Sequence, residues 1–96
     1  MLTAFLTALA LPLRADEAER HERDQARRAV QRGEIRSLED ILASLRGKLP
    51  GEIAGVDIER EDGRWLYEFR VIDTNGNLFE VYVDPRTGTI ERTKEK

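Results

Sequence analysis

Apolar and polar side chains alternate along three segments in the second half of the chain. The segments are residues 53–60, 64–73 and 78–83. This period of two predicts β-strands, because successive side chains of a strand point to opposite faces of a sheet. Turn-forming residues follow each segment, at positions 62–63, 74–77 and 84–88. We therefore predict an antiparallel meander, with a short fourth strand around Ile90.

The apolar spacing also predicts how the second and third strands pair. Each carries one set of alternating apolar residues: Trp65, Tyr67, Phe69 and Val71 in one, Phe79, Val81 and Val83 in the other. A three-residue loop, 74–76, places Val71 opposite Phe79 and keeps both sets on one face. A two-residue Asn75-Gly76 loop would place Val71 opposite Glu80 and split them. We predict a type I turn with Gly76 in the left-handed conformation.

The other two turns follow from the same comparison. A two-residue Asp62-Gly63 loop pairs Ile58 with Tyr67, which keeps the apolar set together. A four-residue loop, 85–88, brings Ile90 opposite Val83. Pro85 suits the second position of a type I turn.

A helical period precedes the strands. One apolar face is expected to contain Leu38, Ile41, Leu42, Leu45 and Leu49. Ser37 is the expected N-cap, and Ile35 before it is expected to pack against Ile41 or its neighbours. The predicted fold is α+β, with one amphipathic helix on the aromatic face of a three- to four-stranded antiparallel sheet.

The first half of the chain predicts export and a linker. Residues 1–13 are apolar except for two threonines, and this is shorter than the roughly 20 residues that cross a bilayer. We expect residues 1–15 to be a signal peptide cleaved after Ala15, which places the protein in the periplasm or outside the cell. A buried or amphipathic N-terminal helix is the alternative.

A charged segment, residues 16–34, follows as a helical linker. Its residues favour a helix, but they offer almost no apolar stripe. Only the last turn, with Ala26, Ala29 and Val30, is expected to touch the domain, and Gly33 is expected to end the helix. The domain itself is predicted at 35–93, and residues 94–96 are expected to be a disordered tail.

Charge and composition narrow the possible partners. The formal net charge is -3, and acidic and basic residues are interleaved without a basic stripe. This argues against nucleic acid and against a polybasic membrane anchor, and no stable membrane span is expected after signal cleavage. The chain has no cysteine, which excludes disulfides and thiolate metal sites.

No group of residues predicts a metal site or a cofactor. His21 is the only histidine, and a site with Glu17 or Asp24 would be incomplete, because zinc usually takes three or four protein ligands. A solvated helix residue is the favoured interpretation. The loop 73–77 resembles a calcium loop, but it lacks the closing glutamate and lies between strands, so it is interpreted as a turn.

Catalysis is not predicted either. A loose group of carboxylates lies near the first hairpin: Asp57, Glu59, Glu61 and Glu68. Paired catalytic acids need a cleft and an apolar neighbour that raises one pKa, whereas these residues alternate away from the predicted core. Ser37 and Ser44 have no base to activate them. The chain is predicted not to be an enzyme.

The order of elements, taken with three stretches of sequence, resembles the PepSY family. The stretches are Gly-Lys-Leu-Pro-Gly at 47–51, the first hairpin at 57–69 with its Trp-Leu-Tyr-Glu-Phe strand, and Tyr-Val-Asp-Pro-Arg-Thr-Gly-Thr-Ile at 82–90. The resemblance covers residues 35–91. It implies a helix packed on an antiparallel sheet, no catalytic residues, and a role in inhibiting or modulating proteases.

Three roles remain open on the sequence alone. The first is an exported module that binds a protease or an envelope signalling protein, with the strand edge at 53–60 available for strand addition. The second is a small-ligand or metal sensor accessory, and the third is a structural homodimer. The face of the sheet opposite the predicted helix is called the far face. Its apolar residues are the candidate partner-binding residues: Leu66, Ile72, Leu78 and Tyr82.

Overall fold

The computed structural model describes residues 10–96, with side chains placed from Asp16 onward. Most of the expected signal peptide lies outside these residues. The helices are α1 (Ala10–Gln31) and α2 (Leu38–Ser44), and the strands are β1 (Glu52–Glu61), β2 (Arg64–Ile72), β3 (Leu78–Val83) and β4 (Ile90–Glu95). None of the helical residues from position 10 onward forms a stretch long and apolar enough to cross a membrane. The predicted α+β fold is confirmed.

The four strands form one antiparallel sheet in the order β1-β2-β3-β4. Val71 pairs with Phe79 and Phe69 with Val81, as the three-residue loop predicts. Gly76 has a φ of 86°, and its N–H donates to the Asp73 carbonyl at 3.0 Å. The left-handed glycine therefore closes the turn and sets the register of the hairpin.

The first hairpin is also confirmed. Ile58 pairs with Tyr67, and the two loop residues, Asp62 and Gly63, have φ values of 51° and 80°. Two positive φ values in a two-residue loop define a type I′ turn, whose twist matches that of the flanking strands. A bulge at Ala54 shifts the register near the start of β1.

The last strand is longer than expected. Val83 pairs with Ile90 as predicted, a bulge follows, and pairing then continues to Phe79 with Glu95. Residues 94–96, expected to be a disordered tail, thus extend the sheet, and the Lys96 N–H donates to the Leu78 carbonyl at 2.8 Å. Backbone hydrogen bonds to β3 order this segment although its side chains are polar.

The helix α1 contacts the sheet only through its last turns. Ala26 and Ala29 are buried against Trp65 and Ile35, with Val30 and Ile58 packed around them. This confirms the expected contact. The helix ends at Gly33, where the N–H groups of Gly33 and Glu34 donate to the carbonyls of Val30 and Ala29. Trp65 is therefore covered by α1.

The helix α2 covers the rest of the aromatic face. Ser37 is the N-cap, and its Oγ accepts from the Asp40 N–H at 3.2 Å. Ile41 and Leu45 are buried in the main core, which contains Tyr67, Phe69, Val71, Val81 and Val83. Leu49 and Phe79 pack at its margin.

The apolar face predicted for α2 is wider than the face that is buried. Leu38 and Leu42 are each 37% exposed, while Ile41 is fully buried. A seven-residue helix resting on a sheet covers a narrow stripe, so the residues turned toward the β1 edge stay accessible. Ile35 also differs from expectation. It packs with Ala29 and Trp65, in the small cluster under the end of α1, and not with Ile41.

Candidate binding surfaces

The edge of β1 has no strand on its outer side. Among residues 10–96, β1 is an outer strand that pairs with β2 alone, and Glu19 and Glu22 of α1 lie near its middle. Among residues 10–96, no loop or cap backbone hydrogen bond reaches it from the other side. Its unpaired N–H and C=O groups are therefore available to a further strand.

The opposite edge is different in character. After Ile90, every residue of β4 is exposed, and the sequence Glu-Arg-Thr-Lys-Glu carries four charges. Charged side chains on an outer strand oppose pairing with another chain. β1 has five charged residues among its ten, but it also carries four apolar ones: Ile53, Ala54, Val56 and Ile58. The two edges are thus unequal, and β1 is the one suited to strand addition.

Two shallow cavities lie beside β1 and under the exposed side of α2. One, of about 430 Å³, lies between α1, Leu38 and the middle of β1, with Val56, Ile58 and Tyr67 among its lining residues. The other, of about 420 Å³, lies where Leu42 and Leu49 face Ile53. We call the two cavities together the β1 groove. Both have apolar walls, and charged residues of α1 and β1 also line the first one.

The predicted partner-binding residues on the far face divide into two pairs. Leu66 is only 1% exposed and Tyr82 only 8%. Ile72 is 43% exposed, and Leu78 beside it is partly buried. Of these four residues, Ile72 and Leu78 are therefore the accessible ones, at one end of the sheet. Their role in binding stays a prediction.

Three neighbouring carboxylates on the far face interact with one another. Glu68 is buried on β2, next to Glu59 of β1 and Glu80 of β3. A hydrogen bond with Glu59, together with burial and the nearby negative charges, raises the pKa of Glu68 to about 7. The Tyr82 hydroxyl donates to Glu80 at 3.1 Å. A raised pKa suits a proton donor, but these side chains lie on an open sheet face.

The remaining candidate residues have local structural contacts. Asp73 accepts from the backbone N–H groups of Asn75 and Asn77 at 2.9 and 2.8 Å, and this, chiefly the Asn77 bond, lowers its pKa. The loop is therefore a turn held by its own aspartate. The Ser44 hydroxyl donates to the Ile41 carbonyl at 2.7 Å. His21 is exposed on α1, and residues 16–96 contain no cluster of three potential metal ligands.

The family model described as the peptidase propeptide and YPEB domain, PepSY, matches residues 37–94. This is more than half of the 96 residues and includes α2, β1, β2, β3 and most of β4. The chain belongs to the PepSY family. No curated protein and no solved structure gives a significant match.

Membership agrees with the geometry of the sheet and of α2. PepSY domains are propeptide-like or inhibitor-like modules and are generally not catalytic. The match begins at the α2 N-cap, so α1 lies outside it. The long charged helix thus precedes the part of this PepSY chain that the family model matches.

One feature of this PepSY chain was missed by sequence reasoning. Five arginines that are scattered along the sequence converge around Trp65: Arg28, Arg32, Arg60, Arg64 and Arg86. They come from α1, the loop after it, the first hairpin and the last turn. No linear pattern brings them together, and the only available signal was the excess of arginine in residues 27–36.

Proposed function

We propose that this PepSY chain is an exported, non-catalytic module that binds a protein partner through β1 and thereby modulates or inhibits a protease or an envelope signalling system. The family supports the protein-binding role. The observation that carries the proposal further is that β1 has no partner strand on its outer side, where the β1 groove lies.

Strand addition accounts for the apolar residues along the edge of β1. A partner strand that pairs with β1 gains main-chain hydrogen bonds, and every second side chain of it points into the β1 groove. Val56 and Ile58 are only partly buried there, and Ile53 and Leu38 are each 37% exposed. A partner with apolar residues at alternate positions would cover all four.

The charges around the groove favour the same mode of binding. The side chains of Asp57 and Glu59 point to the far face of β1, and Glu19 and Glu22 of α1 line the groove. Asp57 already pairs with Arg70 at 2.7 Å. The near face of the strand edge thus offers apolar contacts with acidic residues of α1 beside them, and the far face offers the carboxylate of Glu59. This favours a partner strand with apolar residues on the near face and basic residues on the far face.

The test is capture of a partner from an envelope extract by the full chain, compared between two matched lysine substitutions. Ile53→Lys adds a positive charge and a long side chain to the open edge. Thr93→Lys makes the same change in β4, where Thr93 is exposed. The thermal midpoint of each variant is measured first, so that loss of binding is separated from loss of folding.

The expected result is one enriched protein, captured by the wild type and by Thr93→Lys, and reduced at least about tenfold with Ile53→Lys. The activity of that protein is then assayed with and without the chain, which gives the direction of the effect. Enrichment of no protein above background, or equal capture by Ile53→Lys, would contradict the proposal.

A further inference from the structure

A second surface lies at the end of the sheet where α1 stops. Two adjoining cavities, of about 210 and 450 Å³, share Glu34, Arg60 and Trp65 as lining residues. The arginines that line them are Arg28, Arg32, Arg60, Arg64 and Arg86. We call this surface the Trp65 pocket. It is separate from the β1 groove but lies at the end of the same strand.

Arg60 is the arginine in the pocket that is best prepared for a ligand. Its guanidinium lies 4.5 Å from the centre of the Trp65 ring. Stacking fixes the plane of the group and leaves its edge N–H donors directed outward. Among the described side chains, residues 16–96, no carboxylate lies within 4.0 Å of Arg60.

The other arginines differ in how far they are neutralised. Arg32 donates to Glu34 at 2.7 and 3.3 Å. Arg64 pairs with Glu91 and lies 3.8 Å from Asp84. Arg86 lies 3.6 Å from Asp84. Glu34, Asp84 and Glu91 offset three of the five arginine charges, and the charge of Glu61 also acts on Arg64. The surface therefore stays positive, in a chain whose net charge is -3.

We propose that the Trp65 pocket binds the carboxylate of an acidic side chain from the protein partner. A stacked guanidinium presents two parallel N–H donors that match the two oxygens of a carboxylate. Ile35 and Trp65 supply apolar walls for the stem of that side chain. Glu34 remains in the pocket, which favours a single negative charge over a dianionic group.

The course of β1 indicates where the acidic residue lies in the partner. Val56, Ile58 and Arg60 follow one another on the same face of β1, because they alternate with Asp57 and Glu59. A strand paired with β1 places apolar residues opposite the first two and its acidic residue opposite Arg60. The inference therefore rests on the proposed function, which supplies the strand, and adds the residue that sets its register.

The test uses Trp65 as a probe, since it is the only tryptophan in the chain. The full chain is titrated with a blocked peptide in which valine alternates with lysine and the valine at one end is replaced by glutamate, so that the glutamate shares a face with the valines. The same peptide with glutamine at that position and inorganic phosphate are titrated in parallel. Trp65 emission is followed at low and at physiological salt. Only the glutamate peptide is expected to give a saturable change, weaker at high salt.

Matched variants connect the signal to Arg60. Arg60→Gln is expected to weaken binding of the glutamate peptide at least about tenfold, since a hydrogen bond to a charged group is lost. Arg20→Gln, which removes one positive charge from an exposed position on α1, is expected to leave it unchanged. Arg60→Lys should retain only part of the affinity, because lysine keeps the positive charge but lacks the two parallel N–H donors of the guanidinium.

Three results would overturn the proposal: equal binding of the glutamine peptide, no effect of Arg60→Gln, or a response to phosphate alone. The outcome is distinguishable from a failure of the proposed function. If the glutamate peptide does not bind but a partner is still captured through β1, the pocket proposal fails alone. If the peptide binds through Arg60 and no partner is captured, the proposed function fails.

Discussion

The guanidinium of Arg92 lies 4.2 Å from the centre of the Tyr82 ring and 3.8 Å from the Glu61 carboxylate. Arg92 belongs to β4 and Glu61 to β1, so this contact joins the two outer strands across β2 and β3. The strong twist of a four-stranded sheet makes the approach possible. Leu66 lies on the same face of β2 and is 1% exposed. Within residues 16–96, the long side chain of Arg92 therefore crosses part of the far face, between Tyr82 and Glu61.

Arg92→Ala tests this contact. We expect a loss of about 1 kcal/mol in the free energy of unfolding, because an exposed ion pair and a cation–π contact are each worth a fraction of that amount to about 1 kcal/mol. Urea unfolding measures it. Lys94→Ala, also in β4 and exposed, is the control and is expected to change little. Equal stability of both variants would mean that Arg92 does not hold the far face.

The buried carboxylate of Glu68 predicts an unusual pH dependence. Its pKa is raised to about 7, mainly by the hydrogen bond with Glu59, above the value of 4.5 in a flexible chain. The folded state therefore holds a proton that the unfolded state releases. This contribution to stability is complete below pH 4.5 and disappears as the pH rises through 7.

Glu68→Gln is expected to reduce the loss of stability between pH 5 and pH 8 by on the order of 1–3 kcal/mol. Urea unfolding at both pH values measures the difference. Glu95→Gln, an exposed residue in β4, serves as the control and should leave the slope unchanged. A Glu68→Gln variant with the same pH dependence as the wild type would show that Glu68 titrates normally.

Replacing Gly51 or Gly55 with alanine is expected to lower the stability of the fold by different amounts. A Cβ at Gly51 would overlap the backbone carbonyl of Ile72, whereas a Cβ at Gly55 would overlap only the guanidinium of Arg70. A backbone cannot move without disturbing the β1–β2 pairing, but an arginine can. We expect Gly51→Ala to lower stability by about 2 kcal/mol or more and Gly55→Ala by about 1 kcal/mol or less. Thermal unfolding measures the stability of both variants. A larger loss for Gly55→Ala than for Gly51→Ala would contradict the prediction.

Much of the sheet was predictable because side chains of a strand alternate strictly between its two faces. A slip of one residue would have turned Trp65, Phe69 and Val71 to the far face, so only one loop length was acceptable for each hairpin. The capping of α2 by Ser37 was readable for a similar reason, since the side chain satisfies a nearby N–H.

Other features depended on distant contacts and were not readable. Leu42 has the same spacing as buried helix residues, and its exposure is decided by the short length of α2. Leu66 alternates to the far face, yet it is only 1% exposed. The arginines around Trp65 come from four separate segments. The spacing of residues in a sequence shows which side chains share a face, but not which other parts of the chain cover that face.

The orientation of α2 gives a direct check on these assignments. Ile41→Ala removes a fully buried side chain and is expected to cost about 2–5 kcal/mol, as for other large-to-small changes in a core. Leu42→Ala, at a side chain that is 37% exposed, should cost less than about 1 kcal/mol. Chemical denaturation compares them. Similar losses would mean that α2 is rotated toward β1 and that the β1 groove is closed.

Amide hydrogen exchange of the full chain with its captured partner tests the central claim, that the partner adds a strand to β1. The account predicts that amides within β1 gain protection in the complex, while those of β4, the other outer strand, exchange as in the free chain. Protection confined to β4 or to the far-face residues Ile72 and Leu78, with unchanged exchange in β1, would contradict it.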